Sequence, residues 1–132
     1  MKRALALVLA LAMAGNGVVM LVAGPWWYQA VPGVTETGPF NPHFVKDIGA
    51  AYLVAGLSLG WLAWTRSLLA RGAAMAGALF LILHALIHLA EAATSPMGAM
   101  HLVRDFPGVL LPAILVAPLV WPFRTRKEPA HA

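Results

Sequence analysis

The sequence predicts an all-α protein, a four-helix transmembrane bundle built from two repeated helical hairpins. Of its 132 residues, 61% are hydrophobic and only 11% are charged, against about 25% charged in typical soluble domains. The mean hydropathy is +0.77. A soluble domain of this size buries only about two-thirds of the surface of its unfolded chain, too little to hide so many apolar side chains. The whole chain, residues 1–132, is therefore expected to form a single integral membrane domain.

Four apolar stretches are long enough to cross a bilayer, which requires about 20 helical residues. A polar outer loop, rich in Pro and Gly, joins the first two stretches over residues 25–47, and its aromatic cluster Trp26, Trp27 and Tyr28 is typical of a membrane interface. The prolines of the fourth stretch predict kinks, since membrane helices tolerate proline where neighbours satisfy the freed carbonyl groups. The predicted spans are residues 4–24, 48–64, 72–93 and 106–123.

The first stretch has an alternative interpretation. Lys2-Arg3, an apolar run and Ala12-Met13-Ala14 resemble a secretory signal with a cleavage site. The apolar run continues to Val22, however, and reaches about the length of a membrane-spanning helix. We therefore expect an uncleaved first span.

The basic residues predict the orientation. Four spans place both termini and the second loop on one side, which carries seven Lys or Arg residues, whereas the other side carries only Lys46 and Arg104. Positive residues favour the cytoplasmic side. The expected location is the bacterial inner membrane, with both termini and the basic tail 124–132 in the cytoplasm. The seven are Lys2, Arg3, Arg66, Arg71, Arg124, Arg126 and Lys127.

A short motif occurs twice with an offset of 58 residues. His43-Phe44-Val45-Lys46-Asp47 recurs as His101-Leu102-Val103-Arg104-Asp105, and each copy precedes a span. Arg66 and Arg124 are separated by the same 58 residues. This pattern predicts two helical hairpins of the same orientation, related by an axis along the membrane normal. Chance similarity between two membrane-entry segments is the alternative.

Several classes of function are excluded. The chain has no cysteine, so disulfides, thiolate metal sites and covalently attached haem cannot form. Its formal net charge is +4, but the bases form no long stripe of the kind that binds nucleic acid. No phosphate-binding loop, dinucleotide fingerprint, nucleophile elbow or zinc-protease motif is present. Neither an enzymatic activity nor its absence follows from these motifs.

Histidines and carboxylates gather on the predicted outer side. His84, His88 and Glu91 follow one another at helical spacing and share one stripe of the third helix. His84 lies about 12 residues from the start of its span, about 18 Å along a helix, at a depth where ionisable groups usually line a cavity or pair. The other members of this predicted metal site precede the second and fourth spans: His43, Asp47, His101 and Asp105.

Imidazole and carboxylate groups are ligands of zinc, copper, iron and nickel. A transition metal or a related cofactor is therefore the leading hypothesis, and haem b is possible if His84 or His88 faces a histidine of another helix. Each residue also has a structural explanation, as a helix start, an interfacial residue or an interhelical hydrogen bond. A di-iron site is disfavoured, because such sites draw Glu-x-x-His motifs from several helices.

Two other functions remain open. His, Asp and Glu chains serve as proton relays, and histidine titrates near neutral pH, so proton coupling or the binding of a quinone or lipid is one alternative. The other is an accessory subunit of a larger membrane complex, or a homo-oligomer. Its support is the small-residue face Gly56-x-x-x-Gly60, with a similar face at Ala73-x-x-x-Gly77, since such faces allow close helix packing.

The order of these elements resembles a family. The four short spans, the long first outer loop and the glycine-rich second helix, Ile48-Gly49-Ala50-Ala51-Tyr52 through Gly60, resemble the small four-helix bacterial membrane proteins called DoxX-like. The resemblance covers nearly the whole chain and implies the architecture alone. It assigns no functional residue, because the duplicated His-x-x-x-Asp motif does not match a signature of that family.

Overall fold

A computed structural model describes residues 2–121, and this part of the chain is entirely helical apart from its connections. Four helices are long and apolar enough to cross a membrane, as expected of a multi-pass membrane protein. They are α1 (Lys2–Val22), α3 (Pro42–Thr65), α4 (Leu68–Thr94) and a last helix, Gly98–Val120, composed of α5 (Gly98–Asp105), a π-helical turn (Phe106–Leu110) and α6 (Leu111–Val120).

The helices extend beyond the predicted spans in most places. α3 begins at Pro42, where the Asn41 side chain accepts hydrogen bonds from the backbone N–H groups of His43 and Phe44 at 3.1 Å. This is a side-chain N-cap followed by proline in the first turn. The Ser67 side chain caps α4 in the same way. Polar residues outside the predicted spans therefore form the first turns of these helices.

The fourth helix begins eight residues before its predicted start. Near its first two prolines it contains the π-helical turn, in which the N–H of Leu111 bonds to the carbonyl of Phe106, five residues earlier. Pro107 and Pro112 have no N–H to offer the usual ladder, which favours this wider turn. Pro118 stands inside α6, and the predicted kink at Pro122 lies outside the described residues.

The outer loop contains more structure than its sequence predicted. Trp26, Trp27 and Tyr28 do not simply end the first span, because they belong to a short helix, α2 (Gly24–Ala30). The indole N–H of Trp27 donates to Asn16 Oδ1 at 2.9 Å, which ties α2 to α1. A 3₁₀ turn, Val34–Thr37, follows.

Glycines set the closest helix contacts. A Cβ atom added to Gly17 of α1 would lie 2.5 Å from the carbonyl oxygen of Gly49 in α3, and one added to Gly77 of α4 would lie 2.9 Å from Ser58 Oγ in α3. Side chains at these positions would push the helices apart, so the glycines permit the close packing. Among the described residues, the most deeply buried large side chains are Met20, Leu59 and Val116, contributed by three different helices.

The helices form a closed bundle. α1 runs antiparallel to α3, α3 packs on α4, α4 packs on α6, and α6 returns to α1. The predicted two-hairpin repeat is not supported, because its two motifs occupy different surroundings. His43 and Asp47 stand in the first turns of α3, whereas Asp105 ends α5 immediately before the π-helical turn.

Candidate functional site

Two histidines form the centre of the candidate site. His84 and His88 are one turn apart on α4, and their ring centroids lie 4.9 Å apart at an interplanar angle of 67°. The helical repeat places residues four apart on the same face, so the sequence spacing alone predicts this pair. The structure adds what lies on either side of it.

Asp105 contacts His88, the member of the pair nearer the end of α4. His88 Nδ1 and Asp105 Oδ2 are 2.7 Å apart, and their side chains are only 23% and 12% exposed. The tight turn between α4 and α5 produces this contact, since residues 88 and 105 are almost equally far from it. Gly98 is essential to the turn, because a Cβ there would collide with the backbone of Ala92.

An arginine and a second carboxylate extend the network toward the outer loop. Arg104 Nε donates to Asp105 Oδ1 at 2.9 Å, and its Nη1 donates to Glu36 Oε2 at 2.6 Å. Glu36 lies in the 3₁₀ turn and is 63% exposed. We call the four residues Glu36, Arg104, Asp105 and His88 the outer network. It links the loop, the last helix and α4.

Aromatic rings surround the inner histidine. The ring of His84 stacks on Phe80 at 5.8 Å and 20°, and meets Tyr52 edge-on at 5.7 Å and 84°. In the part of the chain that the structure describes, neither ring nitrogen of His84 has a hydrogen-bond partner, and the hydroxyl of the buried Tyr52 has none either. The Tyr52 hydroxyl and the His84 ring nitrogens therefore bond to no other group in the described part of the chain.

The predicted seven-residue metal site does not assemble. His43 and Asp47 contact each other at 3.4 Å but are 88% and 62% exposed, and Glu91 is exposed as well. Half-buried His101 makes no side-chain hydrogen bond. Within residues 2–121, no group of three or more His, Asp or Glu side chains is arranged to hold a metal ion, so the structure supports neither that site nor a single four-histidine cluster.

Three residues of the site are not among the predicted site residues. In the sequence, Arg104 is the base of the repeated motif, Glu36 belongs to the outer loop, and Tyr52 belongs to the glycine-rich second helix. The sequence contained a signal for the first two residues. Arg104 is next to Asp105, a predicted site residue, and Glu36 is one of the few acids in the chain. Tyr52 had none, because its position against His84 depends on how α3 packs on α4.

An apolar groove lies beside the outer network. It has a volume of about 450 Å³ and is lined by Leu89, Leu102, Val103, Phe106 and Leu110. Leu89 follows His88 in the chain and Phe106 follows Asp105, so the groove runs along the same junction of α4 and the last helix. An apolar surface and a set of polar hydrogen-bonding groups therefore adjoin each other.

These residues suit particular kinds of chemistry. An imidazole whose Nδ1–H is held by a carboxylate offers a well-oriented Nε2 to a ligand, and the aromatic walls suit a flat or apolar group. Comparisons with known protein families, with curated proteins and with solved structures found no match to this chain.

Proposed function

We propose that the protein binds a lipid-soluble ligand of the quinone class at His84, His88 and Tyr52. One observation carries the proposal: His88, held by Asp105, stands one helical turn from His84, whose ring faces that of Tyr52. The ligand class follows from a site that combines unused hydrogen-bonding groups with aromatic walls.

Asp105 supports the proposal by fixing His88. A carboxylate that accepts the Nδ1–H of an imidazole selects the tautomer with a free Nε2 lone pair, which accepts a hydrogen bond from a hydroxyl group. The protonated imidazole donates to a carbonyl from the same atom. His88 is thus suited to both the carbonyl and the hydroxyl form of a quinone-type ligand, while the Tyr52 hydroxyl offers a further donor.

Arg104 has a positioning role in this scheme. Its guanidinium does not lose its proton in proteins, so it does not relay one. Arg104 donates a hydrogen bond to one oxygen of Asp105, and His88 contacts the other. The Glu36 carboxylate in turn accepts a hydrogen bond from Arg104. Arg104 therefore fixes the carboxylate that orients His88.

The groove at Leu89 and Phe106 supports the lipid-soluble character of the ligand. Ligand sites combine apolar walls with a few well-placed polar groups, and here both lie at one helix junction. A chain attached to a polar ring would follow the groove, with the ring directed toward the histidines.

Metal binding remains a second candidate because of the same pair of histidines. Two imidazoles one turn apart are able to share one ion, and a carboxylate behind one of them is the usual second partner of a ligating histidine. Such an ion would need further ligands from outside the described residues. The quinone-class proposal needs none, and we therefore prefer it.

The test uses the full-length protein in lipid nanodiscs and decylubiquinone as the probe. We expect saturable binding, followed by the ¹⁵N signals of labelled histidine side chains, with the His84 and His88 signals shifting. His88→Gln and Asp105→Asn should weaken binding about tenfold, as the loss of about 1.4 kcal/mol of hydrogen bonding implies.

His43→Gln is the matched control. Like His88, His43 contacts an aspartate, here Asp47, but its side chain is exposed. This variant should bind as the wild type does. Equal affinities of the His43 and His88 variants would refute the proposal. The proposal would also be refuted if the wild-type protein bound no decylubiquinone but retained a stoichiometric transition metal that the His84→Gln variant loses.

A further inference from the structure

A second apolar groove lies between α1 and α3. It has a volume of about 390 Å³ and shares no residue with the proposed quinone-class site. Its floor is made of small residues and its rims of large ones. The lining residues are Leu7, Ala10, Leu11, Ala14, Gly56, Leu57, Gly60, Trp61 and Trp64.

The packing of α1 against α3 explains why the groove exists. A Cβ on Gly56 would collide with the backbone of Ala10 and Ala14, so the two helices touch at their backbones there. The rim side chains project away from this contact. Leu11 is 75% exposed and Trp64 is 74% exposed, so these side chains border the groove with most of their surface uncovered.

One end of the groove is basic. The Arg3 guanidinium lies over the Trp64 ring, 5.9 Å from its centroid, which is a cation–π contact. Arg66, exposed, ends α3 in a left-handed conformation with φ 53°. The four acids in the described residues all lie toward the other end of the helices: Glu36, Asp47, Glu91 and Asp105.

We propose that this groove binds an anionic phospholipid of the adjoining leaflet, with its phosphate between Arg3 and Arg66 and its acyl chains along the groove. The charge at the groove's end selects the headgroup, since juxtamembrane bases attract anionic lipids. The apolar walls select the chains. An apolar transmembrane helix of a partner protein would pack against the walls of the groove but would leave the two arginines without a counter-charge.

Charge also argues against a second copy of the chain as the occupant. Two copies related by an axis along the membrane normal would bring the same basic end of each copy together. Arg3 and Arg66 of one copy would then face those of the other, and like charges at short range repel each other. A lipid phosphate removes this repulsion.

The test is native mass spectrometry of the full-length protein after incubation with phosphatidylglycerol or with phosphatidylcholine. We expect the wild type to retain phosphatidylglycerol preferentially. Arg3→Gln and Arg66→Gln should each lower its retention about fivefold, the effect of roughly one basic contact near a membrane surface. Lys46→Gln removes an equal charge at the other end of α3 and should leave retention unchanged.

A further variant separates the groove from a general attraction of charges. Gly60→Leu adds a side chain where a Cβ would make only an ordinary contact, 3.6 Å from Ala10 Cβ, so the fold should persist while the groove is filled. It should reduce phosphatidylglycerol retention without a change in charge.

Three outcomes would overturn the proposal: equal retention of both lipids, equal effects of the Arg3 and Lys46 variants, or a dimer in place of the lipid adduct. Decylubiquinone binding should be unaffected in every one of these variants, so this test and that of the proposed function fail independently.

Discussion

His88 of α4 and Asp105 at the end of α5 lie 17 residues apart in the chain, yet their side chains meet at 2.7 Å. The contact spans the tight turn before Gly98, so it fixes the register of the last helix against α4. Asp105 also forms an ion pair with Arg104, and Arg104 forms a second ion pair with Glu36 of the outer loop. A single carboxylate thus joins three separate segments of the chain.

Asp105→Asn should destabilise the protein substantially. The amide keeps the shape of the carboxylate but leaves mostly buried His88 without its charged acceptor, and Arg104 with Glu36 as its one charged partner among the described residues, a loss worth about 1.5–3 kcal/mol. The free energy of unfolding, measured by SDS titration from mild detergent, reports the change. Asp47→Asn is the control, because its pair with His43 is exposed and should contribute about 0–1 kcal/mol. Equal losses in the two variants would contradict the importance assigned to Asp105.

Gly17→Ala should weaken the packing of α1 on α3. The added methyl group would lie 2.5 Å from the Gly49 carbonyl oxygen and 2.6 Å from Leu53 N, and backbone atoms cannot move aside without separating the helices. We expect a loss of about 1–3 kcal/mol in the free energy of unfolding, the usual cost of overpacking. Gly15→Ala, two residues away, meets nothing within 4 Å and should leave stability unchanged or raised. A Gly17→Ala variant as stable as the wild type would show that the two helices are not in this close contact.

Gly33→Ala should release the outer loop from the last helix. Gly33 has φ 83°, and a Cβ there would collide with the Arg104 guanidinium, so both the backbone and the Arg104–Glu36 ion pair are disturbed. The expected result is faster proteolysis of the loop in detergent. Glu36→Gln weakens the same ion pair without changing the backbone, and is the control. It should also speed cleavage of the loop, and a wild-type rate for Glu36→Gln would argue against the importance of the Arg104–Glu36 contact.

The sequence predicted the helices well because their apolar composition is a local property. It predicted their ends less well. Asn41 and Ser67 cap α3 and α4, and polar residues beyond the apolar cores of the spans belong to the helices, since a helix end depends on capping and not on hydropathy. The prolines near Phe106 predicted irregularity, but the choice of a π-helical turn depends on the hydrogen bonds available there.

The candidate site was predictable only in part. The spacing of His84 and His88 on one helix places them together in any fold. His43 and Asp47, which share the pattern of His101 and Asp105, remain an exposed pair outside the network. A repeated motif therefore did not produce a repeated environment, because each copy faces different neighbours.

By itself, the sequence determined that four helices are apolar enough to cross a membrane and that four of the five acids lie at one end of them. Both follow from composition and from the fixed rise of the helix. Only the tertiary structure decided which of these groups meet. The crossing of α3 on α4 sets Tyr52 against His84, and the turn before Gly98 sets Asp105 against His88. Such contacts depend on helix register and close approach, which no local pattern of residues encodes.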